Sequence, residues 1–229
     1  HPHPFPVAAC AADGSPMDLE KCRYIVVEGP IGAGKTSLAR TLAQHVGGEE
    51  LFERPEENPF LERFYADMAR FALPTQLTFL FQRADQLAGV GQFDMFRRVT
   101  VGDFLLDKDP LFARLNLSDA EYRLYEKVYS HLKPQTPTPD FVIYLQAPVD
   151  TLIDRVHRRG VEFERKISAS YLARLAEAYS RYFYRYEAAP LLIVNSARLN
   201  FVDNQDHIKL LLARIGAMRG RREFFNLAS

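Results

Sequence analysis

A strand-like run, YIVVE at 24–28, opens straight into Gly29-x-x-x-x-Gly34-Lys35-Thr36, and the helix-forming SLARTLAQHV follows at once. This is a phosphate-binding loop in the setting it requires, a strand before and a helix after. Gly29, Gly32, Ala33 and Gly34 let the backbone turn its N–H groups inward at phosphate oxygens. The helix that begins at Lys35, Thr36 and Ser37 adds the positive end of its dipole. Lys35 is expected at the β- and γ-phosphates of ATP, and the Thr36 hydroxyl on Mg²⁺. A glycine-rich turn without a ligand is the bland alternative, and the full eight-residue pattern weighs against it.

Apolar runs of two kinds alternate after this loop. Strands are expected at 24–28, 50–53, 97–102, 140–146 and 191–195, and helices at 35–46, 59–72, 75–91, 119–132, 149–158, 168–187 and 205–218. Such alternation predicts an α/β fold with a parallel sheet of about five strands and helices on both faces. Chemistry then belongs at the carboxyl edge of the sheet, where the loop sits. The proline-rich KPQTPTPD at 133–140 reads as a loop into the strand FVIYLQ.

The 229 residues suit one domain with a sizeable core. Lys plus Arg equals Asp plus Glu, 29 against 29, so net charge points to no nucleic-acid partner. No apolar run approaches the roughly 20 residues that span a bilayer. Residues 1–20 read as a disordered extension with Met17 a plausible start, and their opening lacks the charged start and apolar centre of a secretory signal. Cys10 and Cys22 form neither a disulfide framework nor a metal-ligand spacing, so a reducing, cytoplasmic setting is the default.

A phosphate loop alone admits nucleotide switches, motors and small-molecule kinases. No guanine-selecting Asn-Lys-x-Asp occurs, and the buried strand FVIYLQAP does not end in the acidic residue usual in motors. A kinase needs a second site beside the γ-phosphate, with a base for the acceptor hydroxyl. Three segments offer one: LFERPEENPFLERFY (51–65) with Glu53 after a short apolar run, ALPTQLTFLFQRADQL (72–87) with Gln76 and Arg83 on one helical face, and VTVGDFLLDKDPLFA (99–113) with Asp103 and Asp109.

Across about 23–225, these segments resemble the deoxyribonucleoside kinase family, which includes deoxyadenosine, deoxyguanosine and deoxycytidine kinases, and most of all its bacterial purine-specific members. Glu53 precedes Asn58-Pro59 by five residues, Tyr65 precedes Gln76 by eleven, and Arg83 follows Gln76 by seven. Asp103 begins the counterpart of a D/E-R-S segment, and Asp109 lies six further on. The arginine-rich RVHRRGVEFERK (155–166) has Arg155, Arg159 and Glu164, the last seven residues before Tyr171. The resemblance implies a P-loop kinase domain at 21–229, a homodimer, an Arg-rich lid over ATP, and phosphoryl transfer to a deoxyribonucleoside 5′-hydroxyl. In that scheme Glu53 is the base, and Arg155 and Arg159 contact ATP, Arg159 during transfer. Tyr65 and Glu164 meet the sugar, Gln76, Arg83 and Asp109 read the base, Phe112 stacks on it, and Asp103 joins Thr36 at Mg²⁺. Two positions depart from the family: Phe104 and Val161 stand where it carries arginines, with Arg158 or Arg165 as candidate substitutes.

Each residue also has a plainer reading. Glu53 belongs to an acidic run with Glu49, Glu50, Glu56 and Glu57, and Arg83 with Asp109 could be a buried ion pair that poorly rewards stability. Asp103 could cap the helix after it. Tyr65, Phe112 and Glu164 could be ordinary packing or surface residues, and the arginine cluster a solvated helix end. A thymidylate-type monophosphate kinase is the alternative enzyme. A non-catalytic nucleotide sensor is the alternative outside catalysis, and the separate acceptor site speaks against it.

Overall fold

The run at 24–28 becomes β1 (Tyr24–Glu28), buried along its whole length because sheet neighbours flank it on both sides. The computed structural model describes residues 10–90 and 98–227. Among them lie α1 (Lys35–Val46), β2 (Glu49–Leu51), α2 (Leu61–Ala66), α3 (Met68–Ala88), β3 (Thr100–Gly102), α4 (Asp109–Asn116) and α5 (Asp119–Leu132). Then follow β4 (Phe141–Gln146), α6 (Val149–Arg159), α7 (Ala169–Tyr184), β5 (Leu191–Asn195), α8 (Gln205–Ala217) and β6 (Arg222–Phe225).

All pairings are parallel, in the order β2-β3-β1-β4-β5-β6. Val26 pairs with Gly102 on one side and Val142 on the other, so the chain reverses its progress across the sheet at β1. A crevice opens at such a switch point, and the phosphate loop leaves β1 there. Continuous apolar runs in β1 and β4 suit strands covered on both faces.

The sixth strand exceeds the five expected. REFF is short and only partly buried, and its pairing of Leu191 with Arg222 selects it rather than any strong local pattern. The helix break expected at Pro74 falls instead at Asp67, whose side chain accepts from the Arg70 N–H at 3.4 Å. Pro74 lies inside α3, where burial of Thr75, Gln76 and Leu80 outweighs the lost backbone bond. Helix α4 was not anticipated. The expected strand start at 97 and helix end at 91 lie outside the described residues.

The extension expected to be disordered over 1–20 is packed from Cys10 onward; residues 1–9 lie outside the description. Cys10, Ala12, Met17 and Leu19 are buried, and the Met17 N–H donates to the Met218 carbonyl at 3.1 Å. Apolar residues spaced among polar ones hid this in the sequence, because their partners Met218 and Arg219 lie two hundred residues away, just after α8. Cys10 and Cys22, read as making no disulfide framework, are joined as a disulfide, since the turn between them brings their Cα atoms to 4.7 Å. Among the described residues no helix is long and apolar enough to cross a membrane.

Candidate active site

The phosphate loop is shaped by close approach as much as by turning. A Cβ at Gly32 would lie 2.7 Å from the Leu152 carbonyl oxygen, and at Gly29 2.8 Å from that of Leu145. Gly34, at φ +94°, is the N-cap of α1, which starts at Lys35. Loop, α3, α4, α6 and α7 enclose a cleft of about 700 Å³.

Glu53 follows β2 at the edge of this cleft. Its backbone N–H donates to Asp103 Oδ1 at 2.8 Å, which ties the ends of β2 and β3 together. Arg83 donates to Glu53 Oε1 from both Nε and Nη2, at 3.0 and 2.7 Å. The other oxygen, Oε2, lies 3.5 Å from Lys35 Nζ. Burial pushes the Glu53 carboxyl upward, but Lys108, Lys35 and Arg83 together hold it well below the usual carboxylate range. Burial works against the Lys35 ammonium, but Glu53, Tyr179 and Glu28 together outweigh it and hold it above its ordinary value. A carboxylate whose charged form is favoured and a cation thus face one space, as a base and a phosphate-binding group would.

Asp103 is buried, and its Oδ2 accepts from the Thr36 hydroxyl at 2.8 Å. Burial, and then the neighbouring Glu53, push its carboxyl up. It precedes a core turn rather than a helix N-terminus, so the capping alternative fails. Among the described residues no group of three His, Cys, Asp or Glu could hold a metal. A single carboxylate beside a hydroxyl instead fits a cation that keeps most of its ligands as phosphate and water.

Deeper in the cleft, Gln76 and Arg83 converge on Asp109. Gln76 Nε2 donates to Asp109 Oδ2 at 3.2 Å, and Arg83 Nη1 donates to Oδ1. The Tyr125 hydroxyl also donates to Oδ2, and the Phe79 ring lies 4.9 Å from the Arg83 guanidinium carbon. At the mouth, Arg159 pairs with Glu164, whose Oε2 is buried without a partner, and Tyr65 stacks on Phe163 with ring centroids 6.0 Å apart.

A profile of the deoxynucleoside kinase family matches residues 25–218. The chain belongs to the deoxynucleoside kinase family. It is 32% identical to the deoxyguanosine kinase of Bacillus subtilis (strain 168), over 84% of this chain and 95% of that protein. The deoxyadenosine kinase of Lactobacillus acidophilus is also 32% identical, over 84% of this chain and 94% of its own. A deoxyadenosine kinase from M. mycoides, solved with the products dCMP and a flexible dCDP bound, superimposes with a TM-score of 0.73 at 26% identity, covering 85% of this chain and 99% of that one. This deoxynucleoside kinase is therefore an α/β P-loop enzyme that transfers a phosphoryl group to the hydroxyl of a deoxyribonucleoside.

In the kinase, Thr36, Glu53, Tyr65, Gln76, Arg83, Asp103, Phe112, Arg155, Arg159 and Glu164 all border the cleft. Asp109 lies behind it, reached through Gln76 and Arg83. Phe112 packs edge-on against Tyr179 at 5.9 Å, partly buried. Arg155 is occupied elsewhere: its guanidinium donates to the carbonyls of Gly32, Ala33 and Ser196 at 3.4, 3.3 and 2.5 Å. It braces the loop from outside. Of the two candidate substitutes for lost arginines, Arg158 borders the cleft and Arg165 does not. Phe104 is fully buried core.

Sequence reading missed Glu28, Lys108, Tyr125 and Tyr179. Lys108 Nζ lies 3.0 Å from Glu28 Oε1 and 3.1 Å from the Tyr179 hydroxyl. A lysine and aspartate inside the apolar FLLDKDPLFA, and a glutamate ending a buried strand, were the available signals.

Proposed function

We propose that the chain uses ATP to phosphorylate the 5′-hydroxyl of a purine deoxyribonucleoside, with Glu53 as general base. The observation that carries this reading is the division of Glu53: Oε1 is held by Arg83, while Oε2 faces Lys35 across the cleft. A carboxylate fixed through one oxygen presents the other to an acceptor hydroxyl at little entropic cost. Lys35 then neutralises charge on the γ-phosphoryl group, and Arg159 or Arg158 completes this when the lid closes. Thr36 and Asp103 would hold Mg²⁺, which supplies charge stabilisation on the phosphates. Glu164, with its unpartnered oxygen, and Tyr65 are suited to the sugar hydroxyl.

Purine preference is supported by relatives named for deoxyguanosine and deoxyadenosine, and by Gln76 and Arg83, which border the cleft with polar groups suited to a base edge while Asp109 holds them from behind. A homodimer completes the proposal, with a kinase domain that takes in residues 10–20 ahead of 21–229; the cytoplasmic setting loses its cysteine argument to the Cys10–Cys22 disulfide. Half-exposed Phe81 and Leu124, on the packed helices α3 and α5, support self-association. The test is ADP release from ATP with each of the eight common nucleosides, with dTMP, and without acceptor. Deoxyadenosine or deoxyguanosine is expected to be best, deoxycytidine weaker and thymidine poorest. Turnover with dTMP alone would favour the monophosphate-kinase alternative, and ATP binding without any turnover the sensor.

A further inference from the structure

Lys108 is a fully buried cation that nonetheless borders the cleft. Its Nζ lies 3.0 Å from Glu28 Oε1 and 3.4 Å from Glu53 Oε1, and the rings of Phe112 and Tyr179 flank it at 5.1 and 5.7 Å. An ammonium in so dry a place persists only with a close anion, and Glu28, at the end of β1, is that anion. Glu28 is itself held, since its Oε2 accepts from the Leu105 N–H at 3.4 Å and its Oε1 from the Gly29 N–H at 3.3 Å. Glu28 therefore links the start of the phosphate loop to the turn that carries Lys108.

Arg83 and Lys108 both engage Oε1 of Glu53, from α3 and from the turn before α4. The position where the family resemblance calls for an arginine is Phe104, which is turned into the core. Lys108, four residues on, brings positive charge to the cleft from the far end of the same turn.

We propose that Lys108 is a positioning residue for Glu53. Together with Arg83 it anchors Oε1, so that Oε2 alone is presented to the acceptor hydroxyl, and Glu28 keeps Lys108 in place. This rests on Glu53 being the base. The competing explanation is that Lys108 serves only to neutralise Glu28.

The double variant Glu28→Gln with Lys108→Met removes the buried pair without stranding either charge. Glu28 Oε1 also lies 3.7 Å from Lys35 Nζ, so its rates are read against Glu28→Gln alone, which carries the same loss at Lys35. Folding is followed by circular dichroism. If Lys108 only neutralises Glu28, the double variant turns over at least as fast as Glu28→Gln alone, which would overturn the proposal. If Lys108 positions Glu53, the folded double variant loses about 10- to 100-fold in kcat while the nucleoside KM moves by less than about threefold. Should the double variant not fold, Lys108→Arg and Lys108→Gln are compared. The arginine variant is expected to keep kcat at least about tenfold above the glutamine variant, and equal rates would overturn the proposal. Glu53→Gln is measured alongside. Full turnover in that variant removes the base reading itself. An inactive Glu53→Gln beside a double variant as active as Glu28→Gln alone rejects only the role of Lys108.

Discussion

Arg83 spends two of its donors, Nε and Nη2, on a single oxygen of Glu53, at 3.0 and 2.7 Å, and points Nη1 the other way at Asp109. One guanidinium therefore couples the candidate base, Glu53, to the buried Asp109 and Gln76. Its planar fork makes this possible, and a lysine could not reproduce it.

Glu53→Gln is expected to retain deoxyribonucleoside binding by calorimetry and to lose turnover by roughly 10²-fold or more, the usual scale for a missing general base. An unchanged kcat would remove Glu53 from the mechanism.

The pH dependence follows from the charges around Glu53. Burial opposes ionisation there, but Lys108, Lys35 and Arg83 hold the folded-state carboxyl well below its ordinary range. A depressed folded value means its stabilisation is present above the unfolded value of about 4.3 and lost as pH falls toward the folded one. The stability gap between wild type and Glu53→Gln should therefore be widest near neutral pH and narrow below about pH 4. Chemical denaturation at several pH values measures it; a gap that widens on acidification contradicts the charge assignment.

Asp103→Asn should raise the Mg²⁺ concentration needed for half-maximal rate, because one anionic oxygen leaves the vicinity of Thr36. The amide oxygen can still accept from the Glu53 N–H, and the amide NH2 can donate to the Thr36 hydroxyl oxygen, so the fold should survive. A fixed Mg²⁺ dependence with a lowered melting temperature would make Asp103 a structural tie between β2 and β3.

Tyr125→Phe removes one donor from the buried Asp109 and keeps the ring packed between Tyr122 and Tyr129. A hydrogen bond to a charged group is worth about 1.5–3 kcal/mol, so thermal denaturation should show a drop of several degrees. Discrimination among nucleosides should weaken as well, since Asp109 is then held by Arg83 and Gln76 alone. A stability loss with an unaltered substrate ranking would confine Tyr125 to the fold.

Removing Arg83 and Asp109 together (Arg83→Met with Asp109→Ala) should relax the exclusion of thymidine, because rejection rests on polar groups that the wrong base leaves unpaired. The ratio of kcat/KM for deoxyadenosine to that for thymidine reports it. As Arg83 also holds Glu53, kcat should fall for every substrate, and only the ratio tests specificity. A ratio that stays at its wild-type value would make the pair structural.

The phosphate loop was legible from residues alone because its chemistry is local: glycines, lysine and threonine act through backbone geometry within one turn of chain. Periodicity likewise placed α5 at its observed bounds, and the strand run at 24–28. The family resemblance, carried by spacings along the chain, implied one site for Glu53, Gln76, Arg83 and Asp103, though not their contacts. What needed the tertiary structure was whatever depends on partners distant in sequence. β6 exists because β5 offers it a pairing edge, and residues 10–19 pack because Met218 and Arg219 receive them. Arg155 borders the cleft as the resemblance implied, and the tertiary structure adds that its guanidinium also donates to the loop carbonyls of Gly32 and Ala33. Lys108 and Glu28 stand 80 residues apart, and only the parallel pairing of β1 with β3 sets them 3.0 Å from one another beneath the candidate base. Charges meet that way only when a sheet has been built, because the interaction falls off over a few ångströms and the chain between them records no trace of it.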